Sequence, residues 1–285
     1  MKKNEGIYYL DDISLTPKFR FPETIGVRTE GLLGDNIIAS TAFRGLINAH
    51  KKPIVIFSTY THDKERVGLL SDLYSELISK NVIKGIIHFS RPHGPITDEQ
   101  RNYLLRMGCQ KVYDCGPFES EFRGLQRGEP FLGEELGKEW KSQKRKNNTI
   151  GLFRWSGFHT HYFLRNRPYE EWEIIEKFLV EKGFECILFG YDDLLPNKNG
   201  FADYRKKLTV YETLKKMAQC SLLISTSSFP PLFCQYYIPC LVLSDPRDIE
   251  NLKEKWEVSS NYKILDVTKN YINQIRTELD NFYKK

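Results

Sequence analysis

Short apolar runs recur along this chain, and most are followed by a stretch with helical spacing. Pro53–Ser58 (PIVIFS) leads to Val67–Lys80, where Leu69, Leu70, Leu73, Leu77 and Ile78 follow a helical period. Gly85–Phe89 (GIIHF) leads to Thr97–Met107, which opens on Thr-Asp-Glu, a sequence suited to a helix N-terminus. This alternation admits few folds, because it calls for a mostly parallel sheet covered by helices. Thr24–Arg28 (TIGVR) begins the series. It passes through the Gly-containing loop Glu30–Asn36 (EGLLGDN) into a helix expected over Ile37–His50, and the strand Lys111–Asp114 (KVYD) closes this half.

The pattern then breaks. Gly133–Asn148 (GEELGKEWKSQKRKNN) has almost no aliphatic residue after Leu136 and is the most basic part of the chain. The series restarts with a strand at Thr149–Phe153, a helix over Tyr169–Lys182 and a strand at Phe184–Phe189. A helix over Val210–Ala218, a strand at Ser221–Ser225 and a short helix over Pro231–Tyr237 follow. The strand Cys240–Leu243 and a helix over Tyr271–Tyr283 complete it. The expected organisation is an N-terminal domain over 1–140, a basic linker over 141–148, a second domain over 149–265 and a C-terminal helix within 266–285. Tandem α/β halves bind ligands at the carboxyl ends of their strands and imply a cleft between them.

Composition narrows the function classes. The chain has 285 residues, 40% of them hydrophobic, enough to bury sizeable cores. No apolar run approaches the roughly 20 residues of a membrane helix. Ile7–Leu10 is too short for the apolar core of a signal peptide, so a cytoplasmic protein is expected. Cys109, Cys115, Cys186, Cys220, Cys234 and Cys240 form no CxxC pair and read as small buried hydrophobes. His159 and His161 stand two apart with no third ligand at suitable spacing, so no metal is expected. The mild net charge of +5 suits an anionic ligand (a nucleotide sugar, an acidic lipid or a nucleic acid) or equally a solvated lysine-rich surface. No P-loop, GxGxxG or GxSxG is present, and the aromatic residues form no base-stacking pattern.

Four segments carry candidate chemistry. In Gly31–Asn36, Gly34 permits close approach of a ligand to backbone, and Gly34 and Asn36 flank Asp35 at a helix N-terminus. Asp35 suits two roles, a helix cap or a base that takes a proton from an incoming hydroxyl. Trp155–Arg167 offers Ser156, Thr160, Arg165 and Arg167, residue types that bind phosphate oxygens. Gly190–Asp193 (GYDD) closes a strand, and a carboxylate there, such as Asp192, suits ribose hydroxyls or a solvated turn equally. Thr226, Ser227 and Ser228 form a hydroxyl-rich turn before a short helix, which suits a diphosphate or an ordinary capped turn equally.

Taken together, these segments resemble the ADP-heptose–LPS heptosyltransferase family of GT-B glycosyltransferases. The matching residues are the strand Ile25–Arg28 with Leu33-Gly34-Asp35 and the helix after it, then Pro168-Tyr169-Glu170-Glu171-Trp172 behind Arg165 and Arg167. Gly190, the helix Leu208–Ala218, the segment Leu222–Pro239 and Pro239 before Cys240–Leu243 continue the match. The resemblance covers most of residues 24–246. It implies two Rossmann-like domains facing each other across a cleft, an acceptor on the first and a nucleotide-diphosphate sugar on the second. It implies that Asp35 is the general base of an inverting transfer and that Arg165 faces the diphosphate. Ser156, Thr160, Gly190, Asp192, Thr226, Ser227 and Ser228 would complete the donor side, with no metal and no cofactor beyond the co-substrate. The chain departs from the family at one place. Thr226, Ser228 and Pro231 stand where an Asp, a Gly and a His are usual, which points to a different sugar or acceptor.

The acceptor classes are a bacterial surface glycan, a lipid-linked sugar or, as in phage enzymes, a hydroxymethylated DNA base. A non-catalytic nucleotide- or glycan-binding relic, and an epimerase or phosphorylase on a related fold, are the alternatives.

Overall fold

The computed structural model describes residues 6–10, 16–17, 19–31, 33–60, 64–90, 94–116, 148–155, 166–190, 195–247, 249 and 259–283. The chain divides into two compact units, Met1–Lys138 and Glu139–Lys285.

In the first unit five strands form one parallel sheet. They are β1 (Ile7–Leu10), β2 (Thr24–Glu30), β3 (Ile54–Tyr60), β4 (Ile83–Ser90) and β5 (Cys109–Asp114), in the order β1-β4-β3-β2-β5. Four helices connect them: α1 (Leu33–Ser40), α2 (Phe43–His50), α3 (Lys64–Ser79) and α4 (Asp98–Arg106). Every residue of β2 is buried, as an inner strand covered on both faces requires. Strand alternation sends Val55 and Phe57 into a core with Leu104, Met107 and Val112. Thr97 caps α4 through a capping box with Gln100.

Two expectations change here. β2 runs two residues further than Arg28, to Glu30, so the turn into α1 is only two residues long. The helix expected over Ile37–His50 is two helices that part at Thr41–Ala42. Ser40 Oγ donates to the Ile37 carbonyl at 2.7 Å and Thr41 Oγ1 to that of Ile38 at 2.7 Å. Hydroxyls that bond back to the preceding turn compete with the helical ladder, and two in a row end it.

The second unit holds six parallel strands: β6 (Thr149–Phe153), β7 (Glu185–Phe189), β8 (Ala202–Asp203), β9 (Leu222–Thr226), β10 (Cys240–Ser244) and β11 (Tyr262–Asp266). Their order is β11-β10-β9-β6-β7-β8, the doubly wound order of dinucleotide-binding sheets. The helices are α5 (Tyr169–Glu181), α6 (Val210–Met217), α7 (Phe229–Cys234) and α8 (Tyr271–Tyr283). Trp172, Ile175 and Leu179 of α5 and Ile275 and Leu279 of α8 fill one core with Leu152, Leu188, Ile224 and Leu243. The short helix starts two residues before the expected Pro231, because Pro230 and Pro231 are accommodated in a first turn. All six cysteines are free and buried. Among the described residues no helix is long and apolar enough to cross a membrane.

Candidate functional site

In the first sheet the chain leaves β2 for β3 on one side, while β5 lies on the other. That reversal makes the carboxyl end of β2 a topological switch point, where such sheets bind ligands. Gly31 follows with φ 80°, a left-handed conformation that suits glycine. α1 begins at Leu33, so Asp35 lies inside its first turn and not at the N-cap. A carboxylate there is favoured by the positive end of the helix dipole. It folds back over Gly31 and occupies the space a Cβ at that position would need. Asp35 and Gly34 are half-buried. Asn36 is fully buried: its Nδ2 donates to the Gly31 carbonyl at 3.4 Å, and the Tyr74 hydroxyl donates to the Asn36 carbonyl at 3.1 Å. Asn36 therefore braces the turn from inside, while Gly34 and Asp35 stay partly exposed.

Three charged residues missed in the sequence lie toward the carboxyl ends of β2 and β5. Arg28 Nη2 donates to Glu30 Oε2 at 2.9 Å and Nη1 to Asp114 Oδ1 at 3.0 Å, and all three side chains are buried. Glu30 Oε1 accepts from the Gly94 amide at 3.0 Å, and Asp114 Oδ2 from the Ile96 amide at 2.8 Å. Arg28 Nη2 also reaches the Gly94 carbonyl. The cluster ties the ends of β2 and β5 to the segment before α4. The signal was a cation and an acid two residues apart in an otherwise buried strand, which share one face.

In the second sheet the switch point lies between β6 and β9. Thr226 ends β9, and Ser227 and Ser228 follow; all three are buried. Thr226 Oγ1 finds no hydrogen-bond partner among the described residues. Ser228 stands at the N-cap of α7 without a side-chain cap bond. Pro230 and Pro231 occupy the first turn and carry no N–H, so this helix end offers an anion fewer donors than usual. Gly190 follows β7 with φ 149°, and its carbonyl accepts from the Lys206 amide at 3.0 Å. Ser156, Thr160, Arg165 and Asp192 lie outside the described residues, as do His159 and His161. Arg167 is engaged by Glu171 through two bonds of 2.8 and 2.7 Å. Trp172 belongs to the core.

Sequence reasoning also passed over Arg154, the first residue after β6. It is buried, and its Nη1 donates to Glu176 Oε1 on α5 at 2.6 Å. Burial pulls the guanidinium down from its ordinary value and pushes the Glu176 carboxyl up, and each partner's charge opposes that shift. A charged residue directly after a mostly apolar strand was the available signal.

No protein-family model and no curated protein matches this sequence. Solved structures do match. The ADP-heptose LPS heptosyltransferase II of E. coli aligns with a TM-score of 0.61 at 11% identity, covering 91% of this chain and 98% of that one. The chain has the GT-B fold. Two further GT-B neighbours are the E. coli heptosyltransferase WaaC with ADP and the iron-containing dodecameric glycosyltransferase TibC from enterotoxigenic E. coli H10407. WaaC gives a TM-score of 0.52 at 8% identity, covering 91% of this chain and 99% of its own. TibC gives 0.51 at 16% identity, covering 86% and 63%. TibC contains iron; among the described residues of this chain no group of three or more His, Cys, Asp or Glu side chains is placed to hold a metal.

Proposed function

We propose that this chain is an inverting glycosyltransferase with Asp35 as its general base. The half-buried carboxylate of Asp35, held over Gly31 at the switch point of the first sheet, carries this reading. The acceptor binds the first unit and a nucleotide-diphosphate sugar the second. Asp35 takes the proton of the acceptor hydroxyl as its oxygen attacks the anomeric carbon. The bond from that carbon to the diphosphate oxygen breaks, and the electron pair leaves on the diphosphate. Arg165 and the donor-side backbone stabilise the developing charge, and no metal takes part. The acceptor is a surface glycan or a lipid-linked sugar.

A panel of nucleotide sugars incubated with lipid-linked and glycan acceptors tests this reading. Transfer by the wild type, with kcat reduced by roughly a hundredfold or more in Asp35→Asn, is the expected result. Equal activity in Asp35→Asn would refute the base assignment.

One observation favours a second reading, a nucleotide- or glycan-binding relic without catalysis. Pro230 and Pro231 remove donors from a helix end at the switch point of the second sheet. Nucleotide binding without transfer or hydrolysis, under any donor, would select it.

A further inference from the structure

We propose that Tyr74, on α3, is a positioning residue for Asp35 and acts through Asn36. The inference rests on the proposed role of Asp35 as general base.

α1 has only eight residues, because Ser40 and Thr41 end it. A helix that short is not stable by itself, so contacts with the rest of the fold decide how it sits. Ile37 and Ala39 bury apolar surface, and that attraction has no preferred direction. It holds α1 against its neighbours without fixing its rotation about its own axis. Successive side chains leave a helix about 100° apart, so a turn of α1 re-aims Asp35. The directional contacts come from Asn36, the next residue, which is fully buried where Asp35 is partly exposed. The Tyr74 hydroxyl donates to the Asn36 carbonyl at 3.1 Å and lies 3.4 Å from Asn36 Oδ1. The other end of the same carboxamide, Nδ2, donates to the Gly31 carbonyl at 3.4 Å. Gly31 is in turn fixed to β3, its amide donating to the Thr59 carbonyl at 3.3 Å. The carboxylate of Asp35 lies against this same Gly31.

One hydroxyl on α3 therefore sets both the facing of α1 and the orientation of the amide that ties it to Gly31. Packing alone does not call for that hydroxyl. Tyr74 is wholly buried, and its ring lies 6.3 Å from that of Phe43 on α2, a contact that a phenylalanine would make equally well. Burial pushes the pKa of Tyr74 up, so at neutral pH the hydroxyl keeps the proton it donates. Ser71, three residues earlier on α3, makes a comparable buried bond, its Oγ lying 2.9 Å from His88 Nε2 on β4. That bond joins α3 to the sheet and not to α1, which makes Ser71 a matched control.

The test compares Tyr74→Phe, Ser71→Ala and Asp35→Asn with the wild type in transfer from ADP-, UDP- and GDP-linked sugars to lipid-linked and glycan acceptors, with stability followed by urea unfolding. Tyr74→Phe and Ser71→Ala each remove one buried hydroxyl from the same helix. In Tyr74→Phe, kcat is expected to fall roughly tenfold to a hundredfold, since a slightly misplaced catalytic group costs this much, while KM for the acceptor stays unchanged. Ser71→Ala is expected to lose comparable stability and to keep its kcat. Wild-type kcat in Tyr74→Phe, an equal fall in Ser71→Ala, or a change confined to KM overturns the proposal. Should Tyr74→Phe fail to fold, Asn36→Ala breaks the link to Gly31 from its other end and is expected to lower kcat by a similar factor. Wild-type kcat in that variant overturns the proposal. A fall in Asp35→Asn without one in Tyr74→Phe removes the positioning role alone. Transfer by Asp35→Asn at the wild-type rate, or a wild type that transfers from none of these donors, refutes the base reading itself, and this inference falls with it.

Discussion

The carboxylate of Asp35 fills the space beside the Cα of Gly31, so neither residue can be changed without consequence for the other. Gly31 has φ 80°, which alone costs a residue with a side chain about 1–2 kcal/mol. Gly31→Ala adds a steric conflict that Asp35 must relieve by moving. The expected outcome is a stability loss of more than about 1–2 kcal/mol in urea melts, with transfer activity falling as far as in Asp35→Asn. Nucleotide affinity, which the proposed function assigns to the other unit, should stay unchanged. Wild-type transfer by Gly31→Ala would show that the position of Asp35 does not matter.

The Arg28, Glu30 and Asp114 cluster makes a sharper distinction between breaking a charge network and replacing it. Arg28→Met leaves two buried carboxylates facing each other and should cost about 3–5 kcal/mol. Replacing all three residues with apolar ones of similar size should cost much less, even though more interactions are lost. Urea unfolding of the single and triple variants measures the difference. A triple variant less stable than Arg28→Met would mean that the tie to the Gly94 and Ile96 amides outweighs desolvation.

Much of this architecture is written in apolar periodicity. PIVIFS, GIIHF, TIGLF, SLLIS and CLVL are buried strands because both faces are covered, and such strands appear in sequence as unbroken apolar runs. β1, β8 and β11 escape that signal. β8 has two residues, and β11 (YKILD) is an edge strand with Lys263 exposed. The division of α1 from α2 was hidden because Ser40 and Thr41 fit a helical pattern while their hydroxyls undo the helix. The strand, turn and helix that place Asp35 were legible from its neighbours in sequence. Arg28 with Asp114, and Arg154 with Glu176, were not, since each pair joins residues far apart in the chain through a contact that only the folded sheet creates.

His88 gives the fold a dependence on pH. It is fully buried on β4, and its Nε2 lies 2.9 Å from Ser71 Oγ. Burial lowers its pKa from 6.5 to about 4. Between those values the unfolded chain holds a proton on this ring that the folded chain does not. Stability is therefore intact above pH 6.5 and is lost as pH falls toward 4, by about 3 kcal/mol at most from this residue. Other groups also titrate there, so the measurement is a comparison. Urea unfolding of the wild type and His88→Gln at pH 7, 5.5 and 4 should show the wild type losing more stability over the interval. Parallel curves would remove His88 from the acid response.

The cysteines allow a measurement of opening that needs no added probe residue. All six are buried. Thiolate is the reactive form, and burial raises the thiols of Cys109, Cys234 and Cys240 and pushes that of Cys186 up to about 12. A thiol reagent at neutral pH should modify none of these four in the folded protein at the rate of a free cysteine, and all of them once the chain is unfolded in urea. Labelling over hours should follow opening of the core, so its rate should rise in Arg28→Met for Cys109, which packs in the first unit, and remain unchanged for Cys186 and Cys240 in the second. Acceleration of all of them together would mean that the two units open as one.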